Sequence, residues 1–184
     1  FPFFYHEHLF YYTSYTLAHL MAKYGFKLVE CSKNNIHGGS INCVFEKTLE
    51  QLVIDPQIEM LDNLIRVFIS KIDKAKYDMS KFLNDVLLSG KRVVAYGASG
   101  QANILFAKFG ITNIQIPYII DDAPLKLGKI TPYSHIEIKN SEFIKVYEPD
   151  YIIVTAYNFI NEIRSRTPDY KGKWVVPLPE LKEV

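Results

Sequence analysis

The sequence predicts an α/β protein whose larger part is a mostly parallel sheet with helices on both faces. Three observations predict it. The runs KRVVAYG, IPYII, DYIIVTAY and KWVVPL are nearly unbroken apolar stretches, the pattern of strands covered on both sides. They alternate with helical stretches, as a parallel sheet requires of its crossovers. The first of them runs into the small-residue turn Gly97-Ala98-Ser99-Gly100, which opens a helix.

Taken in order, Thr13 or Ser14 caps a first helix with apolar positions Leu17, Leu20, Met21 and Tyr24, and Gly25 stops it. FKLVEC and SINCVFEK read as two strands joined through the Asn/Gly-rich connection NNIHGG. Asp55-Pro56 is a helix start, a capping residue followed by proline at the first helical position. From Ile58 through Leu61, Ile65, Phe68, Ile72, Ala75, Met79, Phe82 and Val86, apolar residues recur at spacings of three and four. That seam predicts a helix of roughly 30 residues, about 45 Å long, ending near Ser89-Gly90. Beyond it, the helix opened by the glycine turn closes at Gly110. HIEI reads as a short strand, and NSEFIKVYEP and NFINEIRSR read as helices. In such sheets ligands sit at the carboxyl ends of the strands, here Gly97 to Asn103, Asp121-Asp122 and Tyr157-Asn158.

Bulk properties narrow the function. The 184 residues suffice for one large or two small domains, and the apolar and charged fractions, 48% and 22%, are those of a globular protein. A net charge of +1 gives no electrostatic reason to expect nucleic acid or an anionic membrane. No apolar run approaches the roughly 20 residues of a membrane helix. Cys31 and Cys43 lack CxxC spacing, which fits a reducing cytoplasm and argues against a disulfide scaffold. The chain opens at Phe1, directly in dense sequence with no targeting signal, and reads as a fragment of a longer polypeptide.

Two segments carry candidate chemistry in the N-terminal part. Tyr5-His6-Glu7-His8 places a phenol, two imidazoles and a carboxylate among aromatics. His6 and His8 would share one face of an extended segment, but His19, His37, Cys31 and Cys43 show no ligand spacing that completes a metal site. Packing alone suits these polar groups poorly. Proton chemistry fits better, because histidine titrates near neutrality, a carboxylate orients it and a tyrosine donates to an oxyanion. In His37-Gly38-Gly39-Ser40, a hairpin turn explains both glycines without function, while His37 is available to a ligand. In the C-terminal part, the turn at Gly97 to Asn103 brings main-chain amides and a helix N-terminus toward an anion such as a diphosphate. Asp121 follows Gly97 by 24 residues, near the spacing at which an acidic side chain meets a ribose hydroxyl, and Asp122 is its neighbour.

Together YHEH at Tyr5 to His8, HGGS at His37 to Ser40, YGASGQAN at Tyr96 to Asn103, DDAPLKLGK from Asp121, AYNFINEI from Ala156 and the closing VPLPEL resemble one family. They resemble the sugar C-methyltransferases, which methylate a carbon of nucleoside-diphosphate 4-keto-6-deoxysugars. The motifs stand in the family's order and cover nearly the whole chain. The resemblance implies that residues 1–48 are the tail of a methyltransferase domain that binds S-adenosylmethionine. Residues 49–90 become a helical connector, and residues 91–184 a Rossmann-like nucleotide-sugar-binding domain. It also implies that most of the S-adenosylmethionine site, and a small zinc-binding domain, lie upstream of this chain, which alone would not methylate.

Carried over residue by residue, the resemblance makes His8 the base that removes the proton beside the ketone. Tyr5 would support the enolate or the base, and Glu7 would orient His8 or contact the sugar. Tyr96, Ser99 and Asn103 would meet the diphosphate, and Asp121, Asp122 or Lys126 the base or ribose; His37 is a further substrate contact. The sequence departs from the family's pattern at Gln101, where lysine is common and where Lys126 would compensate. It departs again at Tyr133, in a glycine position. The expected partner is a nucleotide-linked sugar in the cytoplasm, with no nucleic acid, no membrane and no metal held by this chain. A non-catalytic Rossmann-like module, similar to the sugar-binding domains of nucleotide-sugar acyltransferases, is the alternative.

Overall fold

The computed structural model describes residues 10–34, 39–50 and 58–184. The chain divides into two compact units at residues 67 and 68, within one long helix.

In the N-terminal unit, α1 (Ser14–Ala22) begins at Thr13, whose side-chain oxygen accepts from the Thr16 amide while the Thr16 hydroxyl accepts from the Thr13 amide. This reciprocal pair satisfies two amides that have no partner in a helix's first turn. Gly25 ends the segment at φ 76°, a left-handed conformation that only glycine adopts without strain. The expected apolar face is weaker than the sequence suggests: Ala18 is buried, but Tyr24 is 70% exposed. Strands β1 (Phe26–Asn34) and β2 (Ser40–Lys47) pair antiparallel, with a register irregularity between Leu28 and Glu30.

Helix α2 (Ile58–Leu88) is continuous over 31 residues, the length read from its apolar seam. The Asp55-Pro56 start lies outside the described residues. In the C-terminal unit, Ala75, Met79, Leu83 and Val86 of α2 are buried and Ile72 and Phe82 partly so.

The sheet of this unit contains β3 (Val93–Tyr96), β4 (Tyr118–Ile120), β5 (Glu137–Lys139), β6 (Tyr151–Val154), β7 (Lys173–Val176) and β8 (Lys182–Glu183). Their spatial order is β5-β4-β3-β6-β7-β8, parallel except for β8. Alternate residues serve opposite faces, as the two-residue period of a strand demands. Val93, Ala95, Ile119, Ile153 and Val175 face a core shared with α2 and with α3 (Gly100–Phe109). Val94, Tyr96, Ile120, Ile152 and Trp174 face a second core containing Ile144 of α4 (Phe143–Tyr147) and Ile163 of α5 (Ile160–Arg166). Helices therefore cover both faces, which is why the strands read as unbroken apolar runs. The chain leaves β3 in one direction for β4 and β5, then returns to its other side for β6 and β7. The carboxyl ends of β3 and β6 thus flank the point where the strand order reverses.

Candidate functional site

At that reversal point a cleft of about 470 Å³ opens, lined by residues that include Tyr96, Gly97, Asp122, Phe159, Glu162 and Arg166. Its floor is set by backbone. Gly97 has φ 103°, and a Cβ there would stand 2.9 Å from the Ala156 Cβ and 3.1 Å from Thr155 Oγ1. Glycine is therefore required twice over, for its conformation and for the closeness of the two strand ends. Below it, the buried Thr155 hydroxyl lies 2.8 Å from the Tyr96 carbonyl and 2.7 Å from that of Gly97, donating to them and tying β6 to β3.

Ser99 caps α3: its Oγ accepts from the Ala102 amide at 3.2 Å, and Gly110 closes the helix in the left-handed conformation. Asp121, at the end of β4, spends both carboxylate oxygens on this corner. Its Oδ2 accepts from the Ala98 amide at 2.9 Å and from Lys126 Nζ at 2.8 Å, and its Oδ1 accepts from the Ala123 amide at 3.0 Å. Lys126 also donates to the Ala98 carbonyl at 2.9 Å. The glycine turn is thus held at both its amide and its carbonyl by one acid–base pair.

Asp122 behaves differently. Its Oδ2 accepts from the Tyr96 hydroxyl at 3.3 Å and its Oδ1 from the Ser141 amide at 2.8 Å, both neutral donors. Burial, and then the charge of Asp122, push the Tyr96 phenol up to about 12, so it stays a protonated donor through the neutral range. Around the cleft, Asp121 is balanced by Lys126 and Glu162 by Arg166. Asp122 carries the charge that no cation offsets among the ion pairs of the described residues. Asn103 lies in the first turns of α3 with its Oδ1 buried and without a hydrogen-bond partner among the described residues.

Of the residues expected from sequence, Tyr96, Asp121 and Asp122 line this cleft, while Ser99 caps α3 and Lys126 holds the glycine turn beside it. Asn103 lies one turn along α3. Tyr5, Glu7, His8 and His37 lie outside the described residues. Sequence reasoning missed Phe159, Glu162 and Arg166. They sit on the 3₁₀ turn and α5 beyond β6; the strand-end rule pointed at the adjacent Tyr157-Asn158, and the motif AYNFINEI spans Phe159 and Glu162 without assigning them a role. A second groove, of about 370 Å³, is lined by residues of α4, α5 and the loop before β7, including Lys145, Glu148, Tyr170 and Arg166. It lacks the glycine turn and the converging strand ends, and we assign it no part in the chemistry.

A parallel sheet with a glycine turn, an N-capped helix and an acidic strand end at its reversal point defines a Rossmann-like fold. Residues 35–179 match the family model of the C-methyltransferase C-terminal domain, and the chain belongs to that family. It is 28% identical over 194 residues to the C-methyltransferase NovU of Streptomyces niveus, across 98% of this chain and 46% of that protein. The chain thus spans about half the length of the curated relative it matches. No helix among the described residues is long and apolar enough to cross a membrane.

Proposed function

We propose that this chain is the C-terminal portion of a C-methyltransferase dependent on S-adenosylmethionine, and that it binds a nucleoside-diphosphate keto-deoxysugar in the cleft at the β3–β6 reversal. The observation that carries the reading is Asp122: an exposed carboxylate held by neutral donors at a strand end beside a glycine turn, inside a chain of C-methyltransferase family. A ribose or sugar hydroxyl donating to that carboxylate completes its coordination. Tyr96, kept protonated, offers a donor to a phosphate or sugar oxygen.

The proposed domain division is that of the sequence reading, with residues 1–48 belonging to the methyltransferase domain, 49–90 connecting, and 91–184 holding the nucleotide sugar. S-adenosylmethionine would supply an electrophilic methyl group. The described part of residues 1–48, a helix and a hairpin, contains no strand-end glycine turn to cradle an adenosyl group. Proton removal is assigned to this chain. In this proposal His8 removes the proton from the carbon beside the ketone, Glu7 orients His8 or contacts the sugar, and Tyr5 supports the enolate oxygen or the base.

Calorimetric titration of the full-length protein with thymidine diphosphate tests the cleft. Binding is expected, with affinity lowered about tenfold in Asp122→Asn, the worth of one charge-assisted hydrogen bond. Absence of binding heat, or equal affinity in the variant, refutes the assignment.

A further inference from the structure

The two cysteines, 12 positions apart in sequence, face each other across the β1–β2 hairpin. Cys31 and Cys43 are direct Cα partners in the antiparallel register, and their sulfurs stand 3.3 Å apart, the Cys43 thiol donating to Cys31. Their flanking pairs, Glu30 with Val44 and Ser32 with Asn42, point to the opposite face, so the thiols meet without a bulky residue between them. Cys31 is exposed and Cys43 half-buried, so solvent reaches the pair.

From this geometry we propose that Cys31 and Cys43 are a cross-strand dithiol that closes to an intramolecular disulfide when the protein meets a small-molecule disulfide such as oxidised glutathione. Residues opposed in an antiparallel ladder have Cα atoms about 4.5 or 5.5 Å apart, and both spacings lie inside the disulfide range. Closure asks the sulfurs to move from 3.3 Å to about 2.05 Å, a change that side-chain rotation supplies with the backbone in place.

The exposed Cys31 reacts first. Its thiolate attacks one sulfur of the oxidant, the oxidant's S–S bond breaks, and one glutathione thiolate leaves. Cys43 then loses its proton and attacks the Cys31 sulfur, expelling the second glutathione. The protein gives up two protons and two electrons, and the oxidant becomes two thiols. Cys43 titrates above the ordinary thiol range because its hydrogen bond to Cys31 favours the protonated form, which leaves it as the resolving partner. The bond would lock the register of a hairpin whose connection carries His37.

Tryptic mapping of the full-length protein decides the matter. Cleavage after Lys27, Lys33 and Lys47 separates the cysteines into peptides 28–33 and 34–47. After exposure of the folded protein to oxidised glutathione, these peptides are expected joined, with loss of alkylation at both thiols, and separated again by reductant. Cys43→Ser should instead retain glutathione on Cys31, because the resolving thiol is gone. Stable glutathione adducts on the natural protein, unreacted thiols, or a cross-link from either cysteine to a different residue would each overturn the proposal.

Discussion

Lys126 reaches Asp121 at 2.8 Å and, with the same ammonium, the carbonyl of Ala98 at 2.9 Å. The pair therefore fixes the glycine turn from both its donor and acceptor sides. Asp121 retains 14% of its side-chain exposure and Lys126 41%, so the partly hydrated lysine contributes the smaller share. Asp121→Asn is expected to cost about 2 kcal/mol of stability and Lys126→Met about 1 kcal/mol. Denaturant midpoints measure both, and the order of the two losses checks the argument.

Gly97 has no tolerant substitute. Alanine there takes on a left-handed backbone and a Cβ contact of 2.9 Å with Ala156. Gly97→Ala is expected to cost roughly 2–4 kcal/mol and to widen the gap between β3 and β6. A midpoint unchanged from the parent would show that the strand ends separate freely.

The phenols of Tyr96, Tyr147, Tyr157 and Tyr170 all titrate above the usual tyrosine range, burial being the first cause in each. In the unfolded chain they ionise near 10, while folded Tyr96 holds its proton to about 12. Above pH 10 the unfolded state thus binds fewer protons than the folded one, and stability falls as pH rises toward 12. Tyr96→Phe should remove about 1 kcal/mol of that alkaline loss, allowing for the solvent that still reaches the hydroxyl. Denaturant midpoints on either side of pH 10 report the difference.

His8→Asn in the full-length protein is expected to slow exchange of the sugar proton with deuterated solvent by about 10²–10⁴-fold, along with methyl transfer. Exchange at the parent rate would remove His8 from its proposed role.

The fold was legible wherever one signal was repeated along many residues. The apolar seam gave α2 its length, and the continuous strand runs gave the parallel sheet, because covering both faces demands it. Leu83 was missed because a heptad seam is narrower than the stripe a helix buries against a sheet; the residue is 1% exposed. Strand β8 was missed because Lys182-Glu183 is too short for any period to show. The thiol pair was illegible for another reason: strand register, unbroken from Asn34–Ser40 to Glu30–Val44, sets which residues oppose each other, and no local composition announces it. At the cleft, Asp121 and Asp122 were found from their distance to the glycine turn. Glu162 and Arg166, one turn apart on α5, look in sequence like an ordinary solvated ion pair.

The Thr155 hydroxyl binds the carbonyls of Tyr96 and Gly97, while Phe159 on the 3₁₀ turn and Glu162 and Arg166 on α5 line the opposite side of the cleft. The cavity therefore separates a main-chain foundation from an interchangeable parapet. Under the proposed function, change in the outer turns of α5 alters which guest is admitted, and change at residue 155 or 97 alters whether there is a room to enter.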